Sequence, residues 1–541
     1  MVLGSIITRI LENQYTWNLA LLGLVGAMIL YIGTCIRKES NPKLFWYFIL
    51  AYLFLARSYD FNQLWTLNQD EEQWIFCARS MAHEPITWFK YFMAFDYTRF
   101  FTILPLALIV FLTKSAGYIQ ARFIQIFLTF IFLRLGYSAT SKLFGRKVSL
   151  AITAMFSTFV GMSRNADIIA YNSEIFASIL YLLFVIQVIR FLNEEGLKYS
   201  LFLSGIFLGL MPFAKEQSVL IAFISGISLV LILILRKEYQ NAFKLCLGGL
   251  SGFFIILIPV LAQNGLELIG GLFNIAVQYS DQGLQLRAIG ENPYSMSVFL
   301  QSYFINKEYL PFVIAMLLAI PAIINRFRIQ TTKPDLLLWV ILSGFIMSLY
   351  SIYKPGNNFF HYSILNWPFL FLFVGYAISG TNFLQNKFWI ASLLVVICQV
   401  HDLRFRQVYP IHNLLVKNPN SYDSVQQIIE QTSNKSDKIV IWGWNNKYYV
   451  APERERGSAF LYPKFAFGNF NNKALVINQY IQDFGKFKPK IIIEAIGNDQ
   501  FDFKDYKTQS ISSVSKELGH ILNKEYNLIY RENSYFIYLR K

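Results

Sequence analysis

The chain has 541 residues, of which 55% are hydrophobic and only 15% charged, with 51 Phe, 32 Tyr and a mean hydropathy of +0.40. A soluble domain carries about 25% charged residues, so this composition excludes a soluble enzyme, a disordered chain and a collagen-like fibre. It leaves a polytopic membrane protein with some soluble mass attached. The net charge of +15 would point to nucleic acid in a soluble protein, but in a membrane protein Lys and Arg collect in cytoplasmic loops. No nucleic-acid partner is therefore expected.

In chain order, apolar runs able to cross a bilayer fall near 17–36, 43–58, 118–141, 147–163, 173–192, 199–213, 217–235, 243–263, 309–325, 336–353, 362–380 and 387–401, about twelve in all. The basic connections RKESNPK (37–43), KLFGRK (142–147), LRKEYQNAFK (235–244) and NRFRIQTTK (325–333) then share one side of the membrane. By the positive-inside rule that side is cytoplasmic. The opposite side receives the N-terminus, a long loop of about 59–117, and everything after residue 402. Residues 100–113 are apolar but too short for a span and interrupted by Pro105; they are placed on the outer membrane surface, within that loop. The first apolar run is followed by charge rather than a cleavage site, so no cleavable signal peptide is expected.

The expected organisation is a membrane module over 1–401 and an extracytoplasmic α/β domain over 402–541. In the latter, DSVQQIIEQT reads as an amphipathic helix, KIVIWGW as a buried strand, NKALVINQYIQDF as a helix and KIIIEAIG as a second strand. SISSVSKELGHIL reads as a third helix and NLIYRENSYFIYLR as a hairpin turned at Glu532–Ser534. That alternation predicts a mainly parallel sheet.

Ionisable residues at a membrane boundary are costly, so those on the outer side are candidates for function. The first loop carries DEEQWIFCARSM (70–81), a short helix with Asp70, Glu71 and Glu72 in its first turn and Trp74, Cys77, Ala78 and Met81 along one face. Favourable interaction with the helix dipole explains acids there; a carboxylate turned over the membrane as general base is the functional alternative. In the second loop, Arg164, Asp167 and Glu174 are either interfacial charges or groups that orient a polar substrate, with Arg164 pairing a phosphate or carboxylate. Lys215 lies between two apolar spans on the side where a topology-determining lysine is not expected, and a point charge there suits a lipid phosphate. His361 and Tyr362 open a late span, where an aromatic belt is the ordinary expectation. Cys35, Cys77, Cys246 and Cys398 offer neither metal spacing nor a disulfide framework, and no two-His metal spacing occurs. No cofactor is indicated, and a divalent metal stays open.

Taken together, these clusters resemble the bacterial GT-C-fold glycosyltransferases, the superfamily of protein O-mannosyltransferases and lipid A aminoarabinose transferases. The resemblance rests on DEEQWIFCARSM, on KLFGRK followed by RNADIIAYNSEIF, and on SGIFLGLMPFAKEQSVL, FFHYSILNWPFLFL and DKIVIWGWNNKYYVAPERERGSAFLYP, in the family's order along nearly the whole chain. It implies a GT-C-like polytopic fold and transfer of a sugar from a polyprenyl-phosphate donor to a hydroxyl of an envelope lipid, glycan or protein. It also implies inversion at the anomeric carbon and action at the outer face of the bacterial inner membrane. Asp70 would be the general base, with Glu71 orienting the acceptor and Asp167 shaping the cleft. Lys215 and Arg164 would hold the donor phosphate, while Glu174, His361 and Tyr362 would line the cavity. The family's Pro-Pro-Leu stretch is replaced by FDYTRFFTILPL (95–106), where Asp96 and Arg99 are cavity candidates, and an extra span precedes the family's core. The competing readings are a transporter or lipid-linked sugar flippase without catalysis, and a scaffold whose external domain binds a cell-wall partner. Transporters tend to show inverted repeats and broken helices meeting at the midplane; no convincing repeat is found here, and the acids cluster at the outer boundary rather than mid-span.

Overall fold

The computed structural model describes residues 43–57, 68–83, 99–163, 165–193, 199–266, 296–304, 333–355, 359–379 and 423–541, the last with breaks at 460–462, 468–470, 472, 498–499, 501–502 and 533, and isolated positions elsewhere. The expected spans at 17–36, 309–325 and 387–401 lie wholly or almost wholly outside these residues. The chain divides into two compact units. One comprises Met1–Gln63, Arg122–Ile255 and Arg287–Val416; the other comprises Leu64–Ala121, Ile256–Leu286 and Lys417–Lys541.

The first unit is helical. Among the described residues, five helices are long and apolar enough to cross a membrane: Tyr118–Phe144, Glu174–Leu192, Ser218–Leu235, Tyr239–Asn264 and Phe360–Ser379, the last including its 3-10 first turns. Shorter apolar helices cover Lys43–Ala56, Ser200–Phe213 and Leu337–Tyr353, all at positions expected for spans. Burial sorts them. The apolar window of Phe360–Ser379 is 94% buried, whereas that of Tyr239–Asn264 is 28% buried. The first is a central helix and the second presents apolar side chains outward, as a lipid-facing helix must. The centre is aromatic: the Phe371 ring lies 4.7 Å from that of Phe156 and 6.0 Å from that of Phe132.

Without a hydrophobic drive between helices in lipid, close packing depends on small residues. A Cβ on Gly205 would come within 2.1 Å of the Leu245 carbonyl oxygen, and one on Gly248 within 2.0 Å of that of Phe202. The helices Ser200–Leu210 and Tyr239–Asn264 therefore touch backbone to backbone. The first ends at Leu210 because Pro212 enters a 3-10 turn, Met211–Phe213, which hands the chain to Lys215.

The second unit joins part of the loop 59–117 to the C-terminal residues. Helix Gln69–His83 packs on helix Phe100–Thr113, with Ala82, Val110 and Ala116 forming a small core. At 14 residues the latter rises about 21 Å, short of the ~30 Å hydrocarbon core. It stops where Lys114 adopts a left-handed conformation (φ 62°) and its N–H returns to the Val110 carbonyl. The C-terminal sheet holds β1 (Lys438–Trp442), β2 (Glu455–Arg456), β3 (Ile491–Ala495), β4 (Tyr526–Glu532) and β5 (Tyr535–Arg540), in the order β2-β1-β3-β5-β4. Pairings β1–β2 and β1–β3 are parallel, whereas β3–β5 and β4–β5 are antiparallel. The sheet is thus mixed rather than mainly parallel. The closing hairpin inserts its second strand beside β3, and a hairpin can only run antiparallel to itself.

Helices Ser424–Thr432 and Lys473–Phe487 occupy their expected segments. The expected helix over 510–522 is instead two, Ile511–Val514 and Lys516–Glu525. Ser510 and Ser515 each cap a new N-terminus, accepting from the N–H groups of Ser513 and Leu518.

Candidate functional site

In the helical unit, three segments far apart in sequence converge. Helix Arg146–Met162 ends at Ser163, and Asn165 caps the four-residue helical turn Ala166–Ile169, its side chain accepting from the Asp167 N–H at 3.0 Å. Asn172 fastens the turn through its side-chain amide, which donates to the Asp167 and Ala170 carbonyls. So held, the Asp167 carboxylate accepts from the backbone N–H groups of Phe360 (2.9 Å) and His361 (3.4 Å), and its Oδ2 lies 3.3 Å from His361 Nδ1. These N–H groups begin the 3-10 segment Phe360–Asn366. Helix-type N-termini leave such donors unsatisfied and favour an anion.

Glu174 opens the next helix, Glu174–Leu192, and Ser178 in the same helix donates to the Ile364 carbonyl at 2.8 Å, tying it to the 3-10 segment. Glu174 Oε1 is 2.6 Å from Lys215 Nζ and 3.9 Å from His361 Nε2. The ammonium also stands 4.9 Å from the centre of the Tyr362 ring. His361 stacks on Phe359 (5.5 Å, 14°) and meets Tyr362 edge to face at 4.7 Å. Glu174, Lys215 and His361 are buried, whereas the Asp167 side chain is 23% exposed. The arrangement is a line of alternating groups, Asp167–His361–Glu174–Lys215, with its one accessible carboxylate at the end. It can hold a proton between carboxylate and imidazole, and it sets a cation beside an aromatic face in a low-dielectric interior.

Five candidates from the sequence, Asp167, Glu174, Lys215, His361 and Tyr362, are thus brought together. Arg164 and Asp96 lie outside the described residues. The remaining candidates belong to the other unit. Asn68 caps helix Gln69–His83, its side chain accepting from the Asp70 N–H at 2.7 Å. Asp70 is partly exposed, whereas Glu71 and Glu72 are buried. Glu72 accepts from the Tyr118 hydroxyl at 2.7 Å, and the Arg99 guanidinium covers the Trp74 ring at 4.7 Å. Farther along the helix, Arg79 donates to the carbonyls of Ala116, Tyr449 and Val450, and Phe76 packs on Tyr449 at 4.6 Å. The acidic first turn is therefore anchored through its own helix to the C-terminal residues. The sequence reading missed Arg79; a lone arginine amid the apolar face of 74–81 was the available signal.

No protein-family model matches the chain, and no curated protein sequence does. Solved structures do. ArnT from Cupriavidus metallidurans bound to undecaprenyl phosphate superposes with a TM-score of 0.56 at 11% identity, over 91% of this chain and 97% of that one. The apo state of the same protein gives 0.55 at 11% identity, over 92% and 98%. The Archaeoglobus fulgidus oligosaccharyltransferase in complex with Zn and sulfate gives 0.50 at 12% identity, over 91% of this chain and 73% of that one. At such identities the superpositions show the fold alone: the chain has the GT-C architecture that the sequence resemblance implies.

Proposed function

We propose that the chain is an inverting glycosyltransferase that moves a sugar from a polyprenyl-phosphate donor to a hydroxyl of an envelope lipid, glycan or protein. The reaction takes place at the outer face of the bacterial inner membrane, with the C-terminal domain extracytoplasmic. The observation that carries this reading is the buried Glu174–Lys215 pair continuous with Asp167 and His361. A soluble-facing surface gains little from such a pair, and burying it is costly unless it has work to do. The fold supports the same reading, because ArnT, which shares it, was solved with undecaprenyl phosphate bound.

In the proposed reaction Asp70 takes the acceptor's hydroxyl proton and Glu71 orients that acceptor. The acceptor oxygen attacks the anomeric carbon as the bond to the phosphate oxygen breaks, and the lipid phosphate departs as an anion. Lys215 and Arg164 are assigned to balance the departing charge, for which a fixed cation does more than a general acid. Asp167 shapes the cleft, and Glu174, His361 and Tyr362 line it.

The test is Asp70→Asn in the purified full-length protein, assayed for transfer from a polyprenyl-phosphate sugar. The expected result is a loss of about 10²–10⁴-fold with expression and thermal unfolding unchanged; full activity would remove Asp70 from the role. Mass spectrometry of envelope glycolipids and glycoproteins from a deletion strain identifies the sugar and the acceptor. An unchanged profile there would count against transfer altogether.

A further inference from the structure

A cleft of about 480 Å³ opens at one end of the C-terminal sheet, and all the residues that line it fall within 436–541. Five of its side chains are cationic, Lys438, Lys488, Lys490, Arg540 and Lys541, against a single carboxylate, Asp437. The topology gathers them. Strands β1 and β3 run parallel and β5 runs antiparallel to β3, so the starts of the first two meet the end of the third. The Lys490 N–H donates to the Lys438 carbonyl at 2.7 Å, and the Arg540 N–H to the Lys490 carbonyl at 3.0 Å. Three neighbouring strands thus carry cations side by side, and like charges in opposite positions destabilise a sheet.

Ordinary structural roles account for part of this set. Arg540 donates to the Lys488 carbonyl at 3.4 Å and stands 3.7 Å from Glu525, while Lys541 donates to the carbonyls of Asn523 (3.0 Å) and Lys524 (2.8 Å). Both meet carbonyls at helix C-terminal ends, which favour cations. The Lys438 ammonium lies 4.3 Å from the centre of the Phe487 ring, and Glu455 is its register neighbour on β2. Lys488 and Lys490 are different: among the described residues neither side chain forms an ion pair. Lys488 also closes helix Lys473–Phe487 in the left-handed region (φ 47°), where glycine is the ordinary residue because it has no Cβ to clash. A lysine held in that conformation, close to a second lysine set between two cations, lowers stability where a helix end requires neither. Strain of this kind is a reason to look for function.

We propose that this cleft binds an acidic glycan, a saccharide chain with carboxylates or phosphates on successive sugars. The volume lies within the range of about 300–1,000 Å³ for ligand sites and is larger than a lone phosphate needs. Adjacent strands set the cations' backbones about 4.8 Å apart, comparable to the advance of one sugar along a chain. The shape and the rim favour a chain over a bilayer. None of the exposed large hydrophobic residues lines the cleft, whereas a membrane-surface face combines cations with apolar side chains. The transferase reading enters only in placing this domain among envelope glycans.

The test titrates full-length protein in phosphatidylcholine nanodiscs with an oligogalacturonate, a phosphorylated mannan, a neutral maltooligosaccharide of the same length and inorganic phosphate. Lys488→Gly and Lys490→Gln are the variants, alone and combined. At least one acidic glycan is expected to bind more tightly than both the neutral chain and inorganic phosphate. Each variant should weaken that binding about threefold and the two together about tenfold, the scale of exposed ion pairs. Lys488→Gly should also unfold no earlier than the parent, because glycine suits the left-handed position; a lysine with a merely structural role would lose stability there. Binding of neither acidic glycan, or binding unchanged in the combined variant, would overturn the proposal. So would inorganic phosphate binding as tightly as the glycans, or Lys488- and Lys490-dependent cosedimentation with phosphatidylglycerol vesicles in place of glycan binding. No sugar donor is present, so full transfer by Asp70→Asn would leave this site standing, and its failure would leave the transferase reading standing.

Discussion

Glu174 in the helical unit and Glu494 in the C-terminal sheet are carboxylates withdrawn from solvent to the same degree, at 1% and 0% exposure. Their surroundings are opposite. Glu174 faces the Lys215 ammonium at 2.6 Å and the His361 ring at 3.9 Å. Glu494, in the middle of β3, accepts from the Ile511 N–H (2.6 Å) and from the hydroxyls of Tyr506 (2.9 Å) and Tyr538 (3.0 Å), all neutral donors. The difference separates two uses of a buried charge. Neutral donors satisfy Glu494 completely and bind three segments of the domain together, a structural task. A full counter-charge and an imidazole around Glu174 leave a pair whose partners can change when a charged ligand arrives, as the proposed reaction requires.

The largest effect should come from breaking the charged pair. Lys215→Met leaves Glu174 buried without its counter-ion, and removing one partner of such a pair costs about 3–5 kcal/mol. Thermal unfolding in detergent should show a large fall in midpoint. The double variant Lys215→Met with Glu174→Leu should recover most of that stability, because an apolar pair of similar volume fits the site, yet it should remain inactive in transfer. A single variant as stable as the parent would show that the pair does not govern this part of the bundle.

Arg79 gives an intermediate case, a buried cation satisfied by neutral carbonyls. Its bonds to Ala116, Tyr449 and Val450 run at 2.5–3.3 Å. Burial holds its pKa below the ordinary value, yet a guanidinium stays charged throughout the accessible range. Arg79→Ala should cost about 1.5–3 kcal/mol, the range for hydrogen bonds to a charged group. Amide hydrogen exchange should rise in 447–456 and in 69–83 together. Faster exchange in only one of the two segments would mean that Arg79 does not join them.

The sequence made much of this legible. Long apolar runs located the helices, and charges interrupting them marked Asp167, Glu174, Lys215 and His361. What it could not supply was partnership. Lys215 reads as a cation for a lipid phosphate, and nothing in FAKEQSVL reveals that Glu174, a whole helix earlier, lies against it. In the C-terminal domain, the hairpin was legible from its pattern and its insertion beside β3 was not, so the sheet was expected to be more parallel than it is. Glu494 carries a signal of its own: a charge inside the buried run KIIIEAIG must have partners. Tyr506 and Tyr538 supply them from segments that no local pattern connects to β3.

The smallest effect tests the other side of the comparison. Burial pushes the Glu494 carboxyl above its ordinary value of 4.5, and the three donors pull it back only in part. A carboxyl with a raised folded-state pKa contributes its full stability below the unfolded pKa, where it is protonated in both states. That contribution is lost as pH rises through the folded-state value. Glu494→Gln has no such charge to bury, and its amide can still accept the Ile511 N–H while the tyrosine hydroxyls rotate to receive its NH₂. Urea unfolding of the C-terminal residues within the full-length protein, followed from about pH 4 to pH 7, should therefore show the variant gaining on the parent as pH rises. At pH 7 the two should lie within about 1 kcal/mol, the net worth of an ordinary hydrogen bond. Parallel pH profiles would mean that the sheet accommodates ionised Glu494 without cost, and the contrast with Glu174 would then lie in the counter-ion alone.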